Sequence, residues 1–291
     1  MDYDVSLRID YRYSLPTAQG QALVRVEPLD VPGVQAVRDL RLVLDPAPTE
    51  RRMFRDFFGN HVTALAWDMP VAELSLDLRF SALRTAVPPP DVSARLDRLA
   101  DSIAALRSLS PDAPQHCLAP SRRVPRDAGM TAFARAALRP GMTALEAVLA
   151  IAARLHGEMR FAAGATHVDT PAAESFARRE GVCQDFAHIL IGCLRSIGIP
   201  AGYVSGFLRT VPPPGQPRLE GADAMHAWVR AWVGGDAGWI EIDPTNDCHV
   251  GTDHIVIGYG RDYDDIAPVR GALRGAGRQD SVQRVDVSVR G

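Results

Sequence analysis

The hydrophobic period of this chain changes once, and the change limits what it can fold into. Val5, Leu7, Ile9, Tyr11 and Tyr13 alternate with Ser6, Arg8, Asp10 and Arg12, the period of a half-buried strand. The pattern returns at Leu40-Arg41-Leu42-Val43-Leu44 and at Leu74-Ser75-Leu76-Asp77-Leu78-Arg79-Phe80. Pro32-Gly33 and Phe58-Gly59-Asn60 supply turns between these runs. Residues 1–87 therefore predict an antiparallel β-domain of sandwich type. Val87-Pro88-Pro89-Pro90 can continue neither a ladder nor a helix and reads as a linker.

Beyond the prolines, in the unit assigned to residues 88–291, apolar residues fall at helical spacing. Ala94, Leu96, Leu99 and Ile103 predict a helix near 91–107. Another is expected at 128–138, stopped by Pro140-Gly141. Thr143 and Glu146 form a capping box ahead of a helix ending near Gly157. A short helix at 172–179 precedes a buried one that starts at Cys183 and is ended by Gly198-Ile199-Pro200. Strands are predicted at 201–208, 225–233, 238–243 and 282–290. The Pro-rich stretch 211–217, just ahead of a strand that carries a histidine, is a candidate cleft lining. The fold class is α+β, helices packed on an antiparallel sheet behind a β-domain.

Composition removes several chemistries. All 32 basic residues are Arg, so a Lys Schiff base, a P-loop and a kinase site are excluded. A net charge of −3 gives no footprint for nucleic acid or an anionic membrane. No run of about 18 apolar residues suggests a membrane span, and no basic start with an apolar run suggests a signal peptide. Cys117, Cys183, Cys193 and Cys248 are widely separated and form no CxxC pair. The expectation is a cytoplasmic protein with free thiols.

One thiol stands apart. Cys183 begins a helix, where unpaired backbone N–H groups and the dipole favour an anion. Cys193 lies about 15 Å further along that helix, too far for either effect or for a disulfide with Cys183. A nucleophilic thiol needs a base and the base an orienting group. His226 shares one strand face with Trp228, Arg230 and Trp232. Asp243 ends the next strand, before Pro244. A two-residue turn would set Asp243 opposite His226, and a four-residue loop would set it opposite Trp228, one diagonal step away. An odd loop would turn it to the other face unless a bulge intervened.

These segments carry a resemblance. Gly181-Val182-Cys183-Gln184-Asp185-Phe186, Gly198-Ile199-Pro200, Tyr203-Val204-Ser205-Gly206, His226-Ala227-Trp228, Gly238-Trp239 and Asp243-Pro244-Thr245-Asn246 resemble the bacterial transglutaminase-like superfamily. So do Gly260-Arg261-Asp262-Tyr263-Asp264 and Pro268-Val269-Arg270-Gly271, and the β-domain with Phe58-Gly59-Asn60 is similar to the one preceding that core. The resemblance implies a papain-like core with Cys183 as nucleophile, His226 as base and then acid, and Asp243 as orienting carboxylate. It implies a thioester formed from a peptide or isopeptide amide and resolved by water or an amine, with no metal and no organic cofactor. Hydrolysis of a peptide or protein is the first expectation. Gln–amine crosslinking and a non-catalytic binding module are its rivals.

Other residues receive plainer readings. Trp228 and Trp239, from their strand phase with His226, are assigned to a cleft wall. Asp185, counted with the two tryptophans as a candidate cleft residue, is either a first-turn dipole partner or an organiser of the site. His188 is expected to be packed, and Cys193 to be core. Cys248-His249 with His254 is set aside as a metal site because adjacent ligands strain tetrahedral geometry.

Overall fold

A computed structural model of the chain describes residues 1–17, 19–88, 90, 92–210, 223–274 and 278–290. The stretch 211–217, expected to border the cleft, lies outside the described residues.

Six strands come first: β1 (Asp2–Thr17), β2 (Gln19–Val24), β3 (Gln35–Asp45), β4 (Glu50–Arg55), β5 (His61–Trp67) and β6 (Val71–Arg84). Helices follow: α1 (Leu99–Ala105), α2 (Ala128–Ala136) and α3 (Ala144–Glu158). The two-residue strand β7 (Arg160–Phe161), α4 (Ala172–Arg178), β8 (Glu180–Gly181) and α5 (Cys183–Ser196) come next. The core sheet is built from β9 (Ala201–Leu208), β10 (Ala224–Trp232), β11 (Trp239–Asp243), β12 (Cys248–His249) and β13 (His254–Gly260). The short α6 (Tyr263–Ile266), β14 (Val269–Arg274) and β15 (Gln279–Val289) complete the chain.

The β-domain consists of two antiparallel sheets, ordered β15-β1-β6-β3 and β14-β2-β5-β4. The inward residues of β1, Tyr3, Val5, Leu7 and Ile9, pack with Leu76, Leu78 and Phe80 of β6 and with Val24, Leu65 and Trp67 of the second sheet. Both C-terminal strands belong here. β15 pairs with β1 and β14 with β2, so the sandwich is made from both ends of the chain rather than from residues 1–87 alone.

The five-stranded sheet, β12-β11-β10-β9-β13, is antiparallel throughout. On one face Ala227, Val229 and Ala231 of β10 pack against α5, together with Ile151 and Leu155 of α3. Apolar residues of α1 to α5 and one sheet face thus close a single core, the layered solution available to amphipathic elements. The capping box on α3 is formed, with Thr143 Oγ1 accepting the Glu146 N–H at 3.2 Å and Glu146 Oε2 accepting the Thr143 N–H at 2.7 Å. The helix expected at 91–107 is shorter. The segment before it is extended because Ala94 N–H donates to Val233 O and Leu96 N–H to Met142 O. The helical part is one 3₁₀ turn, Leu96–Arg98, followed by α1. Among the described residues no helix is long and apolar enough to cross a membrane.

The β-domain is fastened to the core sheet. Phe207, Ile255 and Ile257, from β9 and β13, lie inside the β-domain's apolar core. Two buried amides do the rest. Gln35 donates to Val256 O at 2.7 Å and accepts the Val256 N–H at 2.8 Å. Asn60 donates to Tyr259 O at 2.7 Å and accepts the Tyr259 N–H at 2.8 Å. Each side chain satisfies an N–H and a C=O that an edge strand would otherwise leave unpaired. A bulge between Val256 and Gly258 admits Asn60, for a Cβ on Gly258 would approach its Oδ1 to 2.3 Å.

Candidate active site

The helix that begins at Cys183 is held by the carboxylate of Asp185. Asp185 Oδ2 accepts the Val182 N–H at 2.8 Å and the Thr166 hydroxyl at 2.6 Å. A Cβ on Gly181 would come within 2.6 Å of that oxygen, so glycine there leaves room for the return. Asp185 is buried, and burial raises its pKa against the lowering effect of these bonds. Its place is behind the helix start and not on a cleft wall.

Cys183 is half-buried at the helix start. His226 lies close enough to its sulfur for the two side chains to interact directly. His226 Nε2 stands 2.8 Å from Asp243 Oδ2, which leaves Nδ1 as the ring nitrogen available to the thiol. The register that brings Asp243 here is the even one. Trp232 pairs with Trp239, and Val233 N–H donates to Gly238 O, so the loop is residues 234–237. Continued to the strand's end, that register sets Asp243 opposite Trp228, one step diagonal to His226.

Asp243 is fully buried and takes five hydrogen bonds. Oδ1 accepts the N–H groups of Thr245 at 2.9 Å and Asn246 at 3.2 Å, closing the turn after Pro244. Oδ2 accepts Asn246 Nδ2 at 2.7 Å, His226 Nε2 at 2.8 Å and His254 Nε2 at 3.1 Å. Burial alone would raise the Asp243 pKa, but bonds from His226 and His254 hold it far below the usual carboxylate range. Burial alone would likewise depress His226; the bond to Asp243 and the neighbouring Cys183 sulfur instead lift it to about 10. The arrangement makes His226 a strong proton acceptor, its imidazolium form held against the Asp243 carboxylate.

The two tryptophans separate. Trp228 is fully buried beneath the imidazoles, its ring 6.2 Å from His226 and 5.2 Å from His254 by centroid, with Nε1 donating to Glu241 Oε2 at 2.7 Å. It is a floor under the histidines. Trp239 lies further along the face, stacked on the Arg230 guanidinium at 4.5 Å and bonded to Asp112 O. There it lines a cavity of about 550 Å³ between the β-domain and the core sheet, together with Arg84, Arg230 and Tyr259. The structure therefore gathers Cys183, His226, Asp243 and Trp228, and leaves Trp239 and Asp185 outside that group.

The other thiols have different surroundings. Cys193 is buried, and desolvation pushes it up to about 12. Desolvation also raises Cys248, to about 11. His188 is enclosed in α5, where its Nε2 accepts the Tyr263 N–H at 3.2 Å and burial pushes it down to about 4. Its setting is that of a packed, neutral side chain.

Sequence reasoning gave no role to Asn246 or His254 as partners of Asp243. Asn246 was visible within Asp243-Pro244-Thr245-Asn246. His254 reaches Asp243 only because residues 244–253 cross from the end of β11 to the start of β13. Among the described residues, His226, Asp243 and His254 present ligand atoms within 4.8 Å of one another and could hold a metal ion. Both imidazole Nε2 atoms are already committed to Asp243 Oδ2, so an ion there would have to displace both hydrogen bonds.

Comparison with known proteins gives concordant results. Residues 131–244 match the family described as the transglutaminase-like superfamily, and residues 3–82 match the bacterial transglutaminase-like N-terminal region. An uncharacterized protein of Mycobacterium tuberculosis is 34% identical over 301 residues, covering 99% of this chain and 91% of that protein. A stretch of 71 residues, 24% of this chain and 10% of the other, is 37% identical to a protein-glutamine gamma-glutamyltransferase of Pseudomonas aeruginosa. The crystal structure of a candidate cysteine protease from Cytophaga hutchinsonii shares the fold, with a TM-score of 0.76 and 21% identity over 99% of this chain and 90% of that one.

Proposed function

The chain belongs to the transglutaminase-like superfamily, and we propose that it is a thiol-dependent acyl-transfer enzyme that hydrolyses peptide or isopeptide amides. The observation that carries this reading is the fixed position of His226. Its Nε2 is anchored 2.8 Å from Asp243, and its other nitrogen is left to Cys183.

The chemistry follows from that order. His226 Nδ1 takes the thiol proton, and the thiolate attacks the amide carbon. The oxyanion forms beside the Cys183 backbone N–H, at a helix start where such donors lack intrahelical partners. The C–N bond breaks as the imidazolium returns the proton to the leaving nitrogen. This leaves a thioester on Cys183 and a free amine or ammonia. Water, deprotonated by the now neutral imidazole, attacks the thioester, and the products are a carboxylic acid and the restored thiol. Asp243 keeps the imidazole in the tautomer with Nε2–H and balances the imidazolium charge. No step calls for a metal or an organic cofactor. The proposed partner is a peptide or protein substrate, and the proposed compartment is the cytoplasm.

A second reading is transfer to an amine, making a Gln–amine bond. The stretch similar to the gamma-glutamyltransferase favours it. The intermediate is the same thioester, and only the resolving nucleophile differs. If amine transfer is the reaction, this chain has no Lys side chain to serve as its own acceptor.

The experiment is digestion of a peptide library read by mass spectrometry, with and without a fluorescent primary amine. Cleaved amides requiring Cys183 support hydrolysis. Amine incorporated into Gln peptides faster than ammonia is released to water supports transfer. Tight peptide binding with no turnover by either route would make the protein a binding module.

A further inference from the structure

Resting on the reading of Cys183, His226 and Asp243 as the reacting group, we propose that His254 is a positioning residue, held in place by the β-domain. His254 is buried, and its Nδ1 accepts the Gly251 N–H at 3.4 Å. That assigns the ring proton to Nε2, which donates to Asp243 Oδ2 at 3.1 Å. Two imidazoles thus donate to one carboxylate oxygen. His226 neighbours the thiol, while His254 contacts Asp243, Trp228 and the Gly251 N–H.

A carboxylate bonded on Oδ2 by His226 alone could swing about its side-chain torsions. The second imidazole and the Asn246 amide fix the direction from which Oδ2 meets His226. This sets where Nδ1 points, and small errors in the aim of a base are costly. The contacts around the pair are tight: the His254 ring meets Trp228 edge-on at 5.2 Å and lies 6.2 Å from His226.

His254 opens β13, an edge strand whose pairing partner in the sheet is β9. Arg209, just past β9, also holds Asp253 through its backbone N–H and its guanidinium, and further supports come from the β-domain. The Tyr3 hydroxyl donates to Asp253 Oδ1 at 2.8 Å, Gln35 brackets Val256, and Asn60 brackets Tyr259. The β-domain therefore grips the strand immediately before His254 and at two points after it. Its contribution to the reaction passes through β13 to His254, then to Asp243 and His226.

The test compares His254→Phe, which keeps a ring but removes the donor, with His254→Gln, whose amide can restore one. Turnover of a cleaved peptide and the downfield imidazole N–H resonances are read on the full chain. His254→Phe is expected to lower kcat roughly 10- to 100-fold, the size of one hydrogen bond to a charged group. KM should stay within about twofold, because the group acts on the reaction and not on substrate binding. His254→Gln should recover most of the kcat, and the His226 Nε2–H resonance should move in His254→Phe. Unchanged kcat in a folded His254→Phe protein would overturn the proposal, as would equal losses in both variants. If His254→Phe does not fold, the wild-type spectrum decides: two downfield N–H signals assigned to His226 and His254 are expected, and a single one contradicts the proposal. If the wild type cleaves no amide, the proposed reaction fails, and the resonances still report whether His254 governs the His226–Asp243 bond.

Discussion

Gly206 leaves the space that the Trp228 indole fills: a Cβ at Gly206 would lie 2.2 Å from Trp228 Cη2 and 2.4 Å from Ile255 O. The indole crosses β9 there to reach the underside of His254. Gly206→Ala must therefore push the ring or the strand. It is expected to cost about 1–3 kcal/mol, the usual penalty of overpacking, measured by urea denaturation. Turnover should fall with it, because the displaced ring supports both imidazoles.

Asn60 stands in for a neighbouring strand at Tyr259. Asn60→Ala should destabilise the fold by about 1–3 kcal/mol by leaving an N–H and a C=O unpaired. Asn60→Asp should be no milder. A carboxylate cannot donate to Tyr259 O, and it would stand 3.1 Å from Asp56 Oδ2, where the amide now donates. Thermal melts of the two variants check the order.

The pH dependence of stability follows from three groups. His226 is raised from 6.5 to about 10, so its contribution is complete below about pH 6.5 and is lost as pH rises through about 10. Asp243 is lowered, so its contribution is present above the usual carboxylate range and is lost as pH falls below it. His188, which burial depresses from 6.5 to about 4, contributes above pH 6.5 and loses that contribution as pH falls through about 4. Urea midpoints should therefore decline on both sides of neutrality. In His226→Gln the decline between about pH 6.5 and 10 should shrink, and in His188→Gln the acid-side decline should shrink.

Asp185 anchors the start of α5. Asp185→Ala frees the Val182 N–H and the Thr166 hydroxyl and is expected to cost roughly 1–3 kcal/mol. Because the anchored turn carries Cys183, alkylation of that thiol should also change in rate. Thr143→Ala, which removes the cap of α3 instead, should cost about 1 kcal/mol and leave the alkylation rate alone.

The helix-start place of Cys183 and the shared face of His226 and Asp243 could be read from local periodicity, and the resemblance to the transglutaminase-like superfamily implied that the three meet. Cys183 sits where a helical pattern begins, and strand phase with an even loop, 234–237, puts His226 and Asp243 on one face. Long-range pairing has no such signal. Alternation identified the last strand, but not that β15 would lie beside β1 or β14 beside β2. The expected 91–107 helix is shortened by partners at Val233 and Met142, far away in sequence. Trp239 shares the phase of His226, yet strand phase gives a face and not a distance, and the indole ends on Arg230. His254 owes its place to the ten residues that follow Asp243, whose path no period describes.

The most direct measurement is site-resolved alkylation of the native protein by iodoacetamide near neutral pH, read by mass spectrometry in the wild type and in His226→Ala. Cys183 should be labelled well ahead of Cys193 and Cys248. Its rate should fall about 100-fold or more once the imidazole is gone, as expected for loss of an activating base. Preferential labelling of Cys193 or Cys248, or a Cys183 rate indifferent to His226, would contradict the account.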